Sequence, residues 1–361
     1  MLSSLLKKLF DRNKKSLTIK ENTFVVWEPC SDSHSEVVPG YVKYLLDLGY
    51  HVSVVVNPKH LKDGLFSRFN SPDISLNCLS RREVCRFFRT ADLSKLQGVL
   101  VTTVGKLCKN SNYEECYNTF NDSIDRKKLF FVEHKAKEAI DSGTWKDDLI
   151  TLRKLNYKLA SSVVVNPHFF GEKIAVTPKN ENIVNFVTIG AIRSRKKNTG
   201  EIIEAVKTLH EKNIRNFKVT VIGRGKLKSL PKELRQYFDI KGRLEFNRMY
   251  DEIEKADFLL TAYDDQNQVH LRYTKYQTSG NFQLIYGFLK PCVIIRAFAA
   301  PNGFTADNSV IYNTKDEYAD AMEKAISMTP SAYLEMQKNL QRYVNTLYQN
   351  SLTNLREAIN V

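Results

Sequence analysis

Four cations fall within five residues at Arg193, Arg195, Lys196 and Lys197. Directly before them an apolar run, Phe186 to Ile189, reads as a buried strand, and Gly190 permits a sharp turn. After them Ile202, Ile203, Val206 and Leu209 recur at helical spacing. The pattern is strand, basic loop, helix. Open parallel sheets bind ligands beyond the carboxyl ends of their strands, so these cations stand where a phosphate-rich ligand would lie. A basic run on an arbitrary surface loop would simply be solvated. Its place behind a core strand, together with a second anion-binding pattern further on, favours the ligand.

That second pattern is Thr278, Ser279, Gly280 and Asn281, set where a helix begins. Phe282, Ile285 and Tyr286 supply the helix's buried face, and Lys290-Pro291 ends it before an apolar strand, Cys292 to Ile295. A helix amino terminus offers unpaired N–H groups and about half a positive charge, hydroxyls add donors, and glycine permits close approach. An ordinary helix cap has the same local sequence, so the inference leans on the basic loop of the same half. A third glycine turn, Gly223-Arg-Gly225, follows the apolar strand Lys218 to Ile222.

The first half carries titratable groups of another kind. Strand Thr23 to Trp27 leads into a polar loop, Glu28 to Gly40, containing His34 and Glu36. A helix with Val42, Leu45, Leu46 and Leu48 and a strand, His51 to Val56, complete a βαβ unit, which requires parallel strands and a right-handed crossover. His34 and Glu36 are suited to binding hydroxyls or moving a proton. Two more strands, Gly98 to Thr102 and Lys128 to Val132, follow, and the second runs straight into Glu133 and His134. A histidine with an ordinary pKa of about 6.5 exchanges protons near neutrality. A structural histidine, or one that caps a strand, is the alternative at both places.

The elements needed to position these groups are those of a doubly built α/β protein. Helix Asp147 to Leu159 and strand Ser162 to Val165 close the first half, and His168 to Asn182, rich in Pro, Gly, Lys and Asn, reads as a linker. The second half gives strand 185 to 189, helix 199 to 212, strand 218 to 222, a short helix near 232 to 238, a strand or turn near 240 to 244, helix 249 to 256 and strand 258 to 261. A long polar loop follows Asp264 and Asp265, and beyond Asn302 come a strand near 309 to 312, helix 315 to 327 and a long helix from Ser331. The expected segments are 1–20, basic and amphipathic; 21–180 and 183–330, two Rossmann-like domains; and 331–361, helical.

Composition narrows the partners. A chain of 361 residues with a formal net charge of +14 favours an anionic partner: nucleic acid, an acidic membrane surface or phosphorylated small molecules. The six cysteines lie scattered, without a C-x-x-C pair, which points to reduced thiols, a cytoplasmic location and no structural metal. No apolar run approaches the roughly 18 residues that span a bilayer. Met1 to Lys20 sets Lys7, Lys8, Arg12, Lys14, Lys15 and Lys20 against Asp11 alone, with Leu2, Leu5, Leu6, Leu9 and Phe10 between them. Such a segment suits an anionic membrane face, as a peripheral contact. A frayed, solvated terminus is the other reading.

Two α/β halves, a linker, a basic loop after the second half's first strand and a hydroxyl-rich helix start before Lys-Pro-x-Val-Ile resemble the GT-B glycosyltransferases, in a divergent form of the family 4/1-like group. The resemblance covers most of the chain and is specific in the second half. Gly190-Ala-Ile-Arg193-Ser-Arg-Lys-Lys197-Asn198 is similar to the family's G-x-x-R-x-x-x-K loop, Gly223-Arg-Gly225 to its G-x-G turn, and Gly287-Phe-Leu-Lys290-Pro291-Cys-Val-Ile to its A-x-G-K-P-V-I ending. The resemblance implies two Rossmann-like domains facing a central cleft and a nucleoside diphosphate sugar donor, with no metal or other cofactor. It further implies Arg193 and Lys197 on the donor diphosphate, His134 near the sugar, and His34 and Glu36 toward a glycan or lipid-linked acceptor. One departure is plain. The family's E-x7-E acids would fall at Tyr276 and Leu284.

The implied activity is sugar transfer in polysaccharide biosynthesis; a non-catalytic GT-B-like subunit of a glycan-assembly complex is the alternative. A nicotinamide-dependent dehydrogenase is disfavoured because no G-x-G-x-x-G follows a first strand in either half. Nucleic acid is disfavoured because the aromatics do not interleave with the cations in a recognisable module.

Overall fold

The computed structural model describes residues 17–30, 34–106, 123–174, 176–190, 192, 199–225, 227 and 230–360. These residues form two compact units, one made of residues 1–173 with 348–361 and the other of residues 174–347.

The first unit is built on a parallel sheet of five strands: β1 (Thr23–Trp27), β2 (His51–Val55), β3 (Ile74–Asn77), β4 (Leu96–Val101) and β5 (Leu129–Phe131), in the order β3-β2-β1-β4-β5. Every residue of β1 and β2 is buried, as expected of parallel strands covered on both faces. Phe24, Val25, Val26 and Trp27 fill both sides of the central strand. The crossover from β1 to β2 is helix α1 (Val38–Asp47), entered through a 3-10 turn at Ser35–Val37.

The polar loop is therefore shorter than its composition implies, because Gly40 belongs to the helix. A Cβ at that position would sit 2.4 Å from the backbone carbonyl carbon of Pro167, so this glycine serves close packing and does not end a loop. Between β2 and β4 come α2 (Pro58–Lys62) and α3 (Arg81–Thr90), the latter closed by a Ser80–Glu83 capping box. Helix α4 (Ala136–Asp141) follows β5.

The helix expected over Asp147 to Leu159 does not form. Its place is taken by β6 (Ile150–Thr151), which pairs in parallel with β7 (Val163–Val164), and by irregular chain. Leu149, Ile150, Thr151 and Leu152 are all buried, so the segment is covered on both sides and its apolar spacing is no longer that of one helical face. Lys158 and Leu159 then turn at positive φ, 48° and 54°.

The second unit carries a parallel sheet of six strands: β8 (Val184–Ile189), β9 (Phe217–Ile222), β10 (Phe238–Gly242), β11 (Phe258–Leu260), β12 (Cys292–Ile295) and β13 (Val310–Tyr312), ordered β10-β9-β8-β11-β12-β13. Its helices are α5 (Thr199–Glu211), α6 (Phe246–Lys255), α7 (Gln268–Lys275), α8 (Gly280–Phe288), α9 (Arg296–Ala299), α10 (Tyr318–Ser327) and α11 (Pro330–Asn360), the last ending in the first unit. Helix α7 lies within the stretch that reads as a polar loop. It buries only His270 and Tyr273, too few for a periodic signal.

Residues at the start of this unit are fastened to its interior. Lys290, 1% exposed, donates to the Glu254 carbonyl at 2.8 Å and to the Thr177 hydroxyl. Burial presses its ammonium down to about 8. Lys179 donates to the Ile326 and Met328 carbonyls, and Asn180 donates through its backbone to Asp257 at 2.8 Å. Lys290 thus closes the structure at the foot of the sheet.

Gly40→Ala is expected to destabilise the protein by about 1–3 kcal/mol, the scale of overpacking a fixed contact, outweighing its gain in helix propensity. Urea unfolding of the purified variant checks this; a midpoint equal to that of the parent would contradict the assigned contact with Pro167.

Candidate functional site

In both sheets the chain leaves the central strand toward opposite sides: β1 is flanked by β2 and β4, and β8 by β9 and β11. The loops that follow a central strand and its later neighbour then diverge, and the gap they leave at the carboxyl edge is the usual ligand crevice. The crevices are bounded by the loops after Trp27 and Val101 in the first unit, and after Ile189 and Leu260 in the second.

The first crevice is lined by a hydrogen-bonded cluster. Glu28, one residue beyond β1 and 3% exposed, accepts from the Thr102 and Thr103 hydroxyls, each at 2.7 Å, and from the Cys30 backbone N–H at 2.6 Å. Burial nevertheless raises its carboxyl to about 7, against the pull of those three donors, and the charge of Glu36 adds to the rise. His134 donates from Nε2 to the Thr102 carbonyl at 2.7 Å. Its ring lies 4.4 Å from that of His34, centroid to centroid, with the planes inclined at 39°. His34 holds a left-handed backbone, φ 70°, just before the turn that carries Glu36.

Three candidates from the sequence, His34, Glu36 and His134, are thus gathered on one group of loops. Burial, with His34 second, presses the His134 imidazole down to about 3, so it is neutral at pH 7. Such a ring is a weak base. It is better suited to accepting a hydrogen bond from a hydroxyl than to removing its proton. The organising carboxylate, Glu28, escaped the sequence reading because an acid beside a strand is common; its signal was its distance of one residue from a wholly apolar run.

In the second crevice the backbone itself is the notable feature. Gly190 and Gly223 have φ of 131° and 152°, and a Cβ on Gly223 would lie 1.8 Å from the Gly190 carbonyl oxygen. The turns after β8 and β9 therefore cross at a separation only glycine allows, pinned by Gly190 N–H to the Ile222 carbonyl at 2.8 Å and Ile192 N–H to the Arg224 carbonyl at 2.9 Å. Arg193, Arg195, Lys196, Lys197 and Asn198 lie outside the described residues; Ile192 and Thr199 mark where that segment leaves and rejoins this edge.

The start of α8 belongs to the same edge, since α8 follows β11 in the crossover to β12. Ser279 caps it, its hydroxyl accepting from the Asn281 N–H at 3.3 Å. Among the described residues a Cβ on Gly280 would meet nothing within 4 Å. Thr278 accepts a 3.4 Å contact from the Gln283 amide. Asn281 is buried beside Tyr263, whose hydroxyl proton burial holds far above its ordinary range. Nearby, Asp264 pairs with Lys315 at 2.8 Å, and Lys315 also approaches Glu201, in the first turn of α5, at 3.6 Å. Burial pushes the Asp264 carboxyl up, but Lys315 and the Gln266 N–H more than offset it, leaving it below the ordinary value. Tyr263, Asp264 and Glu201 were not singled out in the sequence, since their common placement depends on sheet order.

No family model matches the chain, and no curated protein matches it. Solved structures do. HepE of Anabaena, in complex with UDP and glucose, aligns over 93% of this chain and 100% of its own at 11% identity and a TM-score of 0.57. An alpha-glucosyltransferase in complex with UDP and a 13-mer DNA containing a HMU base aligns over 95% and 100% at 10% identity and 0.59. A glycosyltransferase involved in avilamycin A biosynthesis aligns over 93% and 98% at 12% identity and 0.53. The chain has the GT-B fold, two Rossmann-like units in succession.

Between pH 4.5 and about 7 the Glu28 carboxyl is protonated in the native protein and ionised in the unfolded one, so its contribution to stability falls as pH rises through that window. The unfolding free energy of the parent relative to Glu28→Gln, measured by urea titration, should therefore decline from pH 4.5 to 7 and level off above, by roughly 3 kcal/mol in all. The buried neutral histidines act alike in both proteins and cancel. A flat difference across that range would remove the assignment of a raised carboxyl.

Proposed function

We propose that this protein is a glycosyltransferase that takes a sugar from a nucleoside diphosphate sugar and passes it to a hydroxyl of a surface polysaccharide or lipid-linked glycan. The observation that carries the reading is the second unit's crevice. A glycine-only crossing of two turns, the two ends of a segment bearing Arg193 and Lys197, and a hydroxyl-capped helix tip at Gly280 all belong to one edge of one parallel sheet. The GT-B fold, which HepE uses to hold UDP and glucose, supports it.

In this reading the acceptor oxygen bonds the anomeric carbon as the bond from that carbon to the β-phosphate oxygen breaks; the electron pair stays on the departing diphosphate, whose oxygen takes up the proton the acceptor hydroxyl releases. Cations and helix N–H groups fixed beforehand stabilise that growing charge more in the transition state than in the ground state. Arg193, Lys197, Asn198, Gly190, Gly223 and the 278–280 tip would meet the diphosphate, with no metal needed for the charge. Asp264 and Glu201, at the same edge, can accept from ribose hydroxyls and so stand in for the acids replaced by Tyr276 and Leu284. In the first unit neutral His134, with His34 and Glu36, would orient sugar or acceptor hydroxyls. The basic residues of 1–20 would hold the enzyme at an anionic membrane face.

The missing acids at 276 and 284 favour one second reading, a non-catalytic GT-B subunit. Incubation with a panel of nucleotide sugars separates the two: the transferase releases nucleoside diphosphate and the subunit releases none. For the enzyme, Lys197→Ala is expected to lower turnover by roughly a hundredfold, the scale of losing one oxyanion donor. Unchanged kinetics would remove Lys197 from the mechanism. UDP or GDP should raise the parent's melting temperature by mass action, and Lys197→Ala should weaken that rise.

A further inference from the structure

We propose that Glu28 is a positioning residue that sets the tautomer of His134 through the Thr102 peptide. A carbonyl oxygen only accepts, so the 2.7 Å contact between Nε2 and the Thr102 carbonyl places the imidazole proton on Nε2 and makes Nδ1 the ring's accepting nitrogen. What fixes that carbonyl is the Glu28 carboxylate. It draws in the hydroxyls of Thr102 and of its neighbour Thr103, both at 2.7 Å, so two consecutive residues beyond β4 are tied to the residue beyond β1. The Thr102 N–H, in the preceding peptide, is meanwhile spent on the Trp27 carbonyl at 2.9 Å, which anchors the chain where it enters Thr102. The carboxylate's remaining partner, the Cys30 N–H, is on the loop that leads to His34.

One buried acid thus holds both walls of the first crevice, and its effect reaches the imidazole through a backbone carbonyl it does not itself touch. Thr102, Thr103 and Glu28 are each 5% exposed or less, so water does not compete for these bonds. The functional meaning of the tautomer rests on the transferase reading, in which His134 belongs to the wall that orients hydroxyls: a ring held in one tautomer gives that wall a single donor–acceptor pattern. The tautomer itself does not rest on that reading.

The experiment is nitrogen-15 NMR of the full-length protein labelled at histidine, with His134 identified by its loss in His134→Gln. The parent should show His134 as the Nε2–H form, with the other tautomer below roughly a tenth of the population. In Glu28→Ala the minor tautomer should rise to a comparable share, whereas Glu28→Gln, which keeps one accepting oxygen, should restore the parent pattern. His168, buried elsewhere in the same unit with its Nδ1 3.0 Å from the Asn166 carbonyl, reports whether the fold is intact. If Glu28→Ala does not fold, Thr102→Val removes the tied hydroxyl but keeps the carbonyl, and the same redistribution is expected. An unchanged His134 tautomer in whichever of these folds overturns the proposal. Nucleoside diphosphate release measured on the same samples tests the transferase reading separately, since the spectra need no turnover.

Discussion

A strand buried on both faces and paired in parallel on both edges must send its chain away at the carboxyl end, and the next strand can only be reached over one face of the sheet. β1 and β8 are such strands, and the geometry of everything functional follows from their position. Because later strands are added on the other side of each, the outgoing turns part company there, and exposed backbone groups are left at a concave edge. Glu28 fills that role of partner in the first unit. In the second the glycine turns are held by backbone bonds, Gly190 N–H to the Ile222 carbonyl and Gly223 N–H to the Gly242 carbonyl.

The two edges differ in electrical character. At the first, burial works against charge: it presses the His134 imidazole far below neutrality and raises the Glu28 carboxyl to about 7 against three donors. At the second, the groups are charged and compensated: Lys315 bridges Asp264 and Glu201, and the α8 dipole points outward. A neutral hydrogen-bonding surface suits hydroxyl-bearing molecules, and a charged one suits phosphates. This division of labour within a single chain is the physical content of the proposed transfer.

Much of this was legible in the sequence where one residue type has one use. Runs such as Thr23–Trp27 and Phe186–Ile189 announce buried strands because no amphipathic alternative exists for them, and His134 stands out in the sequence because it directly follows such a run. The reading fails where burial depends on distant chain. The 147–159 stretch has helical spacing, but its partner β7 and the Val132 bridge turn Ile150 into strand. Gly40 reads as punctuation until Pro167 is seen against it. Helix α7 hides because it buries so little. At the sites, Gly190, Ser279 and Gly280 could be picked out by type and place, whereas Glu28, Tyr263 and Asp264 gain meaning only from strand order, which no local pattern encodes.

The first unit is not continuous in the chain. Residues 348–361 return to it, where Ser351 accepts from the Asn166 N–H at 3.0 Å, Asn354 donates to the Val164 carbonyl at 2.8 Å, and Tyr348 stacks on Tyr44. During synthesis the second unit is complete once residue 347 has left the ribosome, whereas the earlier-made portion still lacks the turns of α11 that seal it. The half that emerges first is therefore finished after the second, and its β6–β7 edge waits, unsealed, until residues 348–361 have followed.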